Sequence, residues 1–163
     1  DTDRIIPARF LTTTQREGLG RHAFHDWRYR ADGSEDPGFA LNHAAARGCE
    51  ILVAGRNFGV GSAREQAAMA LTHLGVGAVL AVSFGRIFYR NALNFGLPVL
   101  VFPEVGLIRP GDVLAVDPVS GRIERRATDE SWVVQGVPAH LMEMVGAGGL
   151  MPWLKLRLAK ENK

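Results

Sequence analysis

Residues 51–66 read Ile51-Leu52-Val53-Ala54-Gly55-Arg56-Asn57-Phe58-Gly59-Val60-Gly61-Ser62-Ala63-Arg64-Glu65-Gln66, and their character changes twice. The uncharged run Ile51–Ala54 predicts a strand buried on both faces. Three glycines in the next seven positions permit a backbone path that side chains would obstruct. Ser62-Ala63-Arg64-Glu65 then fits a capping box, and Ala67 to Leu71 continue as good helix formers, so a helix is predicted from Ser62 to about His73. The order is strand, glycine-rich turn, helix start. Such a turn lets another molecule approach the backbone closely.

Free amides and a positive helix end favour an anion, and Arg64 adds a planar fork suited to a carboxylate. Two phosphate loops can be tested against this segment, and both fail. A P-loop needs Gly-Lys-Ser/Thr, and no lysine occurs between Asp1 and Met151. A dinucleotide fingerprint beginning at Gly59 and Gly61 would place its third glycine at Arg64, and the next apolar run ends in Ser83-Phe84 with no acid for a ribose. A carboxylate is therefore the better anion.

Two further apolar runs, Ala78–Val82 and Pro98–Phe102, read as strands, separated by a helix within 84–95. Alternation of strand and helix predicts a mainly parallel sheet. Beyond Pro103 the turn signals Arg109-Pro110-Gly111-Asp112 and Asp117-Pro118-Val119-Ser120-Gly121 bracket short runs at 113–116 and 123–124, a β-hairpin. A helix is expected from Pro138, and residues 150–163 form a basic amphipathic tail that docks on the domain or on a partner. At the other end, Ile5-Ile6 before Pro7 reads as extended, and 10–21 as a polar loop.

Composition narrows the function. A length of 163 residues suits one domain, and 47% hydrophobic with 22% charged residues suits a soluble globular protein. No apolar run is long enough to span a bilayer and no secretory pattern opens the chain, which predicts a cytoplasmic protein. Net charge is +2 with the arginines scattered, giving little support to nucleic-acid binding. Cys49 is the single cysteine, so this chain can form no internal disulfide and cannot ligate an iron–sulfur cluster, which takes three or four thiolates. His22 and His25 share a face without a cysteine or carboxylate at a familiar ligand spacing, so no metal site is assigned.

Gly55-Arg56-Asn57-Phe58-Gly59-Val60-Gly61-Ser62-Ala63-Arg64-Glu65-Gln66 closely resembles the G-D-N-F-G-C-G-S-S-R-E-H signature of the swivelling domain of the aconitase superfamily, above all the family of 3-isopropylmalate dehydratase small subunits. Asp1-Thr2-Asp3-Arg4-Ile5-Ile6-Pro7 resembles that family's opening, and the blocks at 24–29, 83–91 and 96–99 resemble others in the expected order. The resemblance implies a three-layer swivelling β/β/α-type domain over residues 1–163, with a mainly parallel buried sheet and additional short strands. It also implies that a strand precedes Asp1.

By the same resemblance the chain is one subunit of a hydro-lyase acting on a small hydroxy dicarboxylate, in leucine biosynthesis, and is inactive without a large subunit that carries a [4Fe-4S] cluster. Ser62 is implied as the catalytic base. Arg64 is implied to bind a substrate carboxylate, Arg16 on the loop to be a second clamp, and the amides near Gly61 and Ala63 to support substrate oxygens.

Four positions depart from the family pattern: Arg56 stands for Asp, Val60 for Cys, Ala63 for the second Ser, and Gln66 for His. Val60 is expected to matter only for packing, whereas Ala63 removes a hydroxyl and Gln66 a titratable group. These leave open a related hydratase for citraconate or 2-methylmalate, dimethylmaleate or homoaconitate. They also leave open a non-catalytic domain that binds an anion or another subunit.

Overall fold

A computed structural model gives the structure of the protein and describes residues 1–11 and 18–161. The chain opens on one helical turn, α1 (Thr2–Ile5), capped by the Asp1 carboxylate, which accepts from the Arg4 amide at 2.9 Å. The extended piece expected at Ile5-Ile6 begins only at Ile6, with φ −142° and ψ 106° ahead of Pro7. Asp1 supplies the cap that carries Ile5 into the helix instead. Tight 3-10 turns at Ala8–Phe10 and Leu19–His22 lead to a second helical turn, α2 (His25–Arg28).

The three apolar runs form β1 (Ile51–Ala54), β2 (Ala78–Ala81) and β3 (Val99–Val101), parallel and in that spatial order. Register aligns Leu52, Val79 and Val99 on one face, and Val53, Leu80 and Leu100 on the other. Two helices, α3 (Glu65–Leu74) and α4 (Arg86–Asn94), return the chain between these strands. The first face packs against them in a core with Ala67, Ala68, Met69, Leu71, Phe88 and Leu93. Consecutive alanines let α3 lie close to both the sheet and the amino-terminal turns.

The second face meets an antiparallel sheet of β4 (Leu114–Asp117), β5 (Arg122–Arg125) and β6 (Ser131–Val133). Leu80, Leu100, Phe102 and Ile123 fill that smaller core, and Phe102 lies 5.6 Å from Trp132 between ring centres. The result is three layers, helices on a parallel sheet on an antiparallel sheet. The hairpin expected from the turn signals forms as β4–β5, while β6 adds a strand too short to show a pattern in the sequence.

Burial corrects one expectation. β2 is buried throughout and the other edge strand β3 buries Val99 and Leu100, but every residue of β1 is only half-buried, because clefts open alongside it at Leu52 and Val53. Two further helices, α5 (Ala139–Gly146) and α6 (Leu150–Glu161), complete the described chain. Leu150 and Trp153 pack α6 against the larger core, whereas Met151, Leu156 and Leu158 are exposed. Among the described residues no helix is long and apolar enough to cross a membrane.

Candidate active site

The glycine-rich turn leaves the carboxyl end of β1 and is held from two sides. On one side Asn57, Phe58 and Gly59 lie against the segment that follows β2. The Phe58 amide donates to the Ser83 carbonyl at 2.9 Å, the Gly85 amide to the Phe58 carbonyl at 2.8 Å, and the Asn57 amide to the Ser83 hydroxyl at 2.8 Å. Phe58 meets Phe88 edge-on with ring centres 5.3 Å apart. Gly59 has φ +73° and is buried against Phe88, whose ring occupies the space a Cβ would need. Only glycine satisfies both conditions there.

On the other side the tip of the turn rests on α1. Thr2 is 1% exposed; its amide donates to the Val60 carbonyl at 2.8 Å and its hydroxyl to the Ser62 carbonyl at 3.0 Å. Gly61, at φ +116°, passes so close that a Cβ would lie 3.1 Å from the Thr2 hydroxyl oxygen. Contacts some sixty residues apart in sequence therefore set the path of the tip.

Ser62 and Ala63 emerge exposed, and Arg64 is partly buried. The expected capping box does not form. Helix α3 begins at Glu65, and Arg64 occupies the cap position in extended backbone, φ −106° and ψ 110°, with no side-chain cap. The Ser62 carbonyl accepts from Thr2 and, at 2.8 Å, from the Arg64 amide, which turns the chain too tightly for Ser62 itself to cap. The serine hydroxyl is thus left at the surface instead of being consumed by the helix. Gly61 and Ala63 contribute loop amides, not first-turn amides.

Arg64 pairs through Nη1 with the Asp3 carboxylate, and the same nitrogen donates to the Ile6 carbonyl at 3.3 Å. Arg16, the second expected clamp, lies outside the described residues. Of the departures from the family pattern, Arg56 is exposed and Gln66 half-buried beside the turn. Val60 is 49% exposed, so packing does not account for its identity; its backbone carbonyl holds Thr2. A cleft of about 350 Å³ runs along β1 and the turn, lined in part by Asp1, Trp27, Phe39 and Asn57; Ser62 and Arg64 lie outside it.

His22 and His25 pack on Phe10, whereas His43, His73 and His140 are exposed. His22 stacks on Phe10 with ring centres 4.1 Å apart, and His25 stands 4.7 Å from the same ring. Burial, followed by the nearby charges of His25, Arg21 and Arg9, holds His22 below the ordinary histidine pKa. Among the described residues no three His, Cys, Asp or Glu side chains gather as a metal-binding group. Cys49 is exposed and its thiol donates to the Ala45 carbonyl at 3.3 Å. One thiol does not fit an iron–sulfur cluster, so this chain offers no cradle for one.

A fold of this kind with this turn has known counterparts. Residues 1–105 match the family model described as the aconitase C-terminal domain. The small subunit of 3-isopropylmalate dehydratase from Moorella thermoacetica is 44% identical over 155 residues, 94% of this chain and 87% of the relative. The Aquifex aeolicus small subunit of the same enzyme is 43% identical over 162 residues, 99% of this chain and 90% of the relative. The chain belongs to the aconitase swivel-domain family, in its branch of 3-isopropylmalate dehydratase small subunits. A crystal structure of 3-isopropylmalate dehydratase from Methanocaldococcus jannaschii superposes with a TM-score of 0.81 at 34% identity, covering 99% of this chain and 90% of that one.

Reading the sequence alone assigned no role to Thr2 or Asp3, although both lie in the opening motif. Thr2 fixes the turn and Asp3 holds Arg64. The available signal was a threonine flanked by two acids before an apolar pair. It could not show which distant residues they would meet.

Proposed function

We propose that this chain is the small subunit of a 3-isopropylmalate dehydratase, interconverting 2- and 3-isopropylmalate by loss and return of water, and works with a large subunit in the cytoplasm. The observation that carries the reading is the exposed Ser62 hydroxyl on a backbone held by Thr2, with Arg64 two residues away. Family membership supports the choice of reaction.

Dehydration of a hydroxy acid breaks a C–H bond and a C–O bond on neighbouring carbons, releasing a proton and a hydroxide that together make water. In this reading Ser62, as its alkoxide, takes the proton at Oγ and becomes the neutral hydroxyl. A serine hydroxyl is a weak base until its anion is favoured, and the loop amides near Gly61 and Ala63 together with the Arg64 charge supply that environment. Arg64 binds a substrate carboxylate and thereby sets the C–H bond before Oγ; Arg16 is the proposed second clamp. Departure of hydroxide calls for a Lewis acid, which a [4Fe-4S] cluster held by the large subunit would supply when bound.

The test is reconstitution. Mixing the chain with its matching cluster-bearing subunit and following the absorbance of the unsaturated acid, with isopropylmalate and 2-methylmalate in parallel, should give turnover of isopropylmalate only when both subunits are present. Preference for methylmalate would assign the chain to a related hydratase and make Arg56, Val60, Ala63 and Gln66 the first residues to exchange. Turnover by the large subunit alone would remove this chain from the reaction.

A further inference from the structure

Helix α4 starts directly over the middle of the glycine-rich turn. A Cβ on Gly85, its cap residue, would lie 2.8 Å from the Gly59 carbonyl oxygen and 2.9 Å from the Val60 Cα. The first turn of α4 and Val60 are therefore neighbours at the surface. Each carries a large aliphatic side chain open to water, Val60 and Ile87, the latter 51% exposed. Single aliphatic residues are ordinary at a protein surface. These two lie on segments whose backbones touch, and cations stand around them.

Arg56 at the start of the turn, and Arg86 and Arg90 on α4, are exposed and form no ion pair with a described residue. Folding alone does not favour the last two. Arg86 is the first residue of α4, where the helix dipole is positive, no acid occupies that first turn, and Arg90 follows at the like-charge spacing of four. A choice that opposes the local helix points to something outside the chain. Of the acids on the neighbouring α1, Asp1 caps that helix and Asp3 pairs with Arg64, so neither is free to answer these cations. An apolar centre fringed by arginine is the composition of a protein–protein contact.

The cations also select the partner. Two copies of this chain joined through the patch would set arginines against arginines. Position favours the large subunit: two residues of chain, at most about 7 Å, separate Val60 from Ser62, where in the proposed function that subunit completes the site. We propose that Val60 and Ile87, fringed by Arg56, Arg86 and Arg90, form a docking patch for the large subunit, whose facing surface sets carboxylates around an apolar centre. The inference rests on the proposed function, in which a partner meets this chain at Ser62. It also gives the exposed Val60 side chain an account that packing within the chain does not.

The test titrates the chain and its variants with the matching cluster-bearing large subunit by calorimetry, at two salt concentrations, before substrate is added. Val60→Asp and Ile87→Asp should each weaken the subunit Kd about thirtyfold or more, with Tm of the free chain within about 2 °C of wild type. Arg86→Glu combined with Arg90→Glu should weaken it about tenfold and flatten its salt dependence. For Ile87→Asp, kcat at saturating large subunit should return to near the wild-type value, which a role in the reaction itself would prevent. An unchanged Kd in all these variants would overturn the inference and leave the proposed function standing. At an unchanged Kd, lost self-association of the free chain would assign the patch to a second copy, and a raised KM for isopropylmalate would assign the arginines to the substrate; either would overturn it. A wild-type chain that fails to bind the large subunit would overturn the proposed function, and the inference with it.

Discussion

The two halves of the glycine-rich turn are built for different tasks. Asn57 to Gly59 form a wall, bonded to Ser83 and Gly85 and filled by Phe88, with no room for added atoms. Gly61 to Arg64 form a tip whose backbone is fastened to Thr2, with Ser62 and Ala63 exposed and the Arg64 side chain folded back onto Asp3 and Ile6. In the wall, sequence is spent on packing. At the tip, a fixed main chain leaves the serine hydroxyl unspent, as the role proposed for Ser62 requires.

That contrast predicts that stability resides in the wall and activity at the tip. Gly59→Ala should have the largest effect on folding: a left-handed residue with a side chain costs about 1–2 kcal/mol, and forcing Cβ into the Phe88 ring about 1–3 more. Thermal unfolding of the free subunit should show a fall of about 10 °C. An unchanged midpoint would mean that the wall is loose. Thr2→Val, which keeps the shape and removes the hydroxyl, should cost about 1–2 kcal/mol and also lower kcat/KM in the complex, since Thr2 fastens the tip. Loss of stability without loss of activity would separate Thr2 from the site. Ser62→Ala should leave stability within about 0.5 kcal/mol of wild type by denaturant unfolding, because the side chain is exposed.

The smallest effect is expected far from the turn, at His22. Folding holds its pKa below the ordinary value, so just below that value the unfolded chain binds more protons than the folded one. Stability should therefore rise with pH through that window and fall on acidification. Thermal midpoints between pH 7.5 and 5.5 should drop less in His22→Gln than in wild type. Equal slopes would show that other groups govern the acid side.

The same contrast marks how far the sequence could be read. Apolar runs and glycines placed all three parallel strands, the hairpin β4–β5, and the turn itself, because these depend on local pattern. The capping box failed because Thr2, sixty residues away, engages the Ser62 carbonyl and sends Arg64 into extended backbone. Burial of β1 was overestimated because the clefts beside it are shaped by segments outside the strand, around 39–46 and 108–114, which its own composition does not reveal. Strand β6 is three residues long and carries no periodicity to detect. At the candidate site, Ser62 and Arg64 were proposed from a motif, whereas Thr2 and Asp3 gain meaning only from what they touch.

The most direct test of the account is turnover by Ser62→Ala in the reconstituted complex, with assembly checked by co-elution of the two subunits. If Ser62 is the base of a site completed by the large subunit, the complex should assemble normally and kcat should fall by at least about a hundredfold. Near wild-type kcat in an intact complex would contradict it.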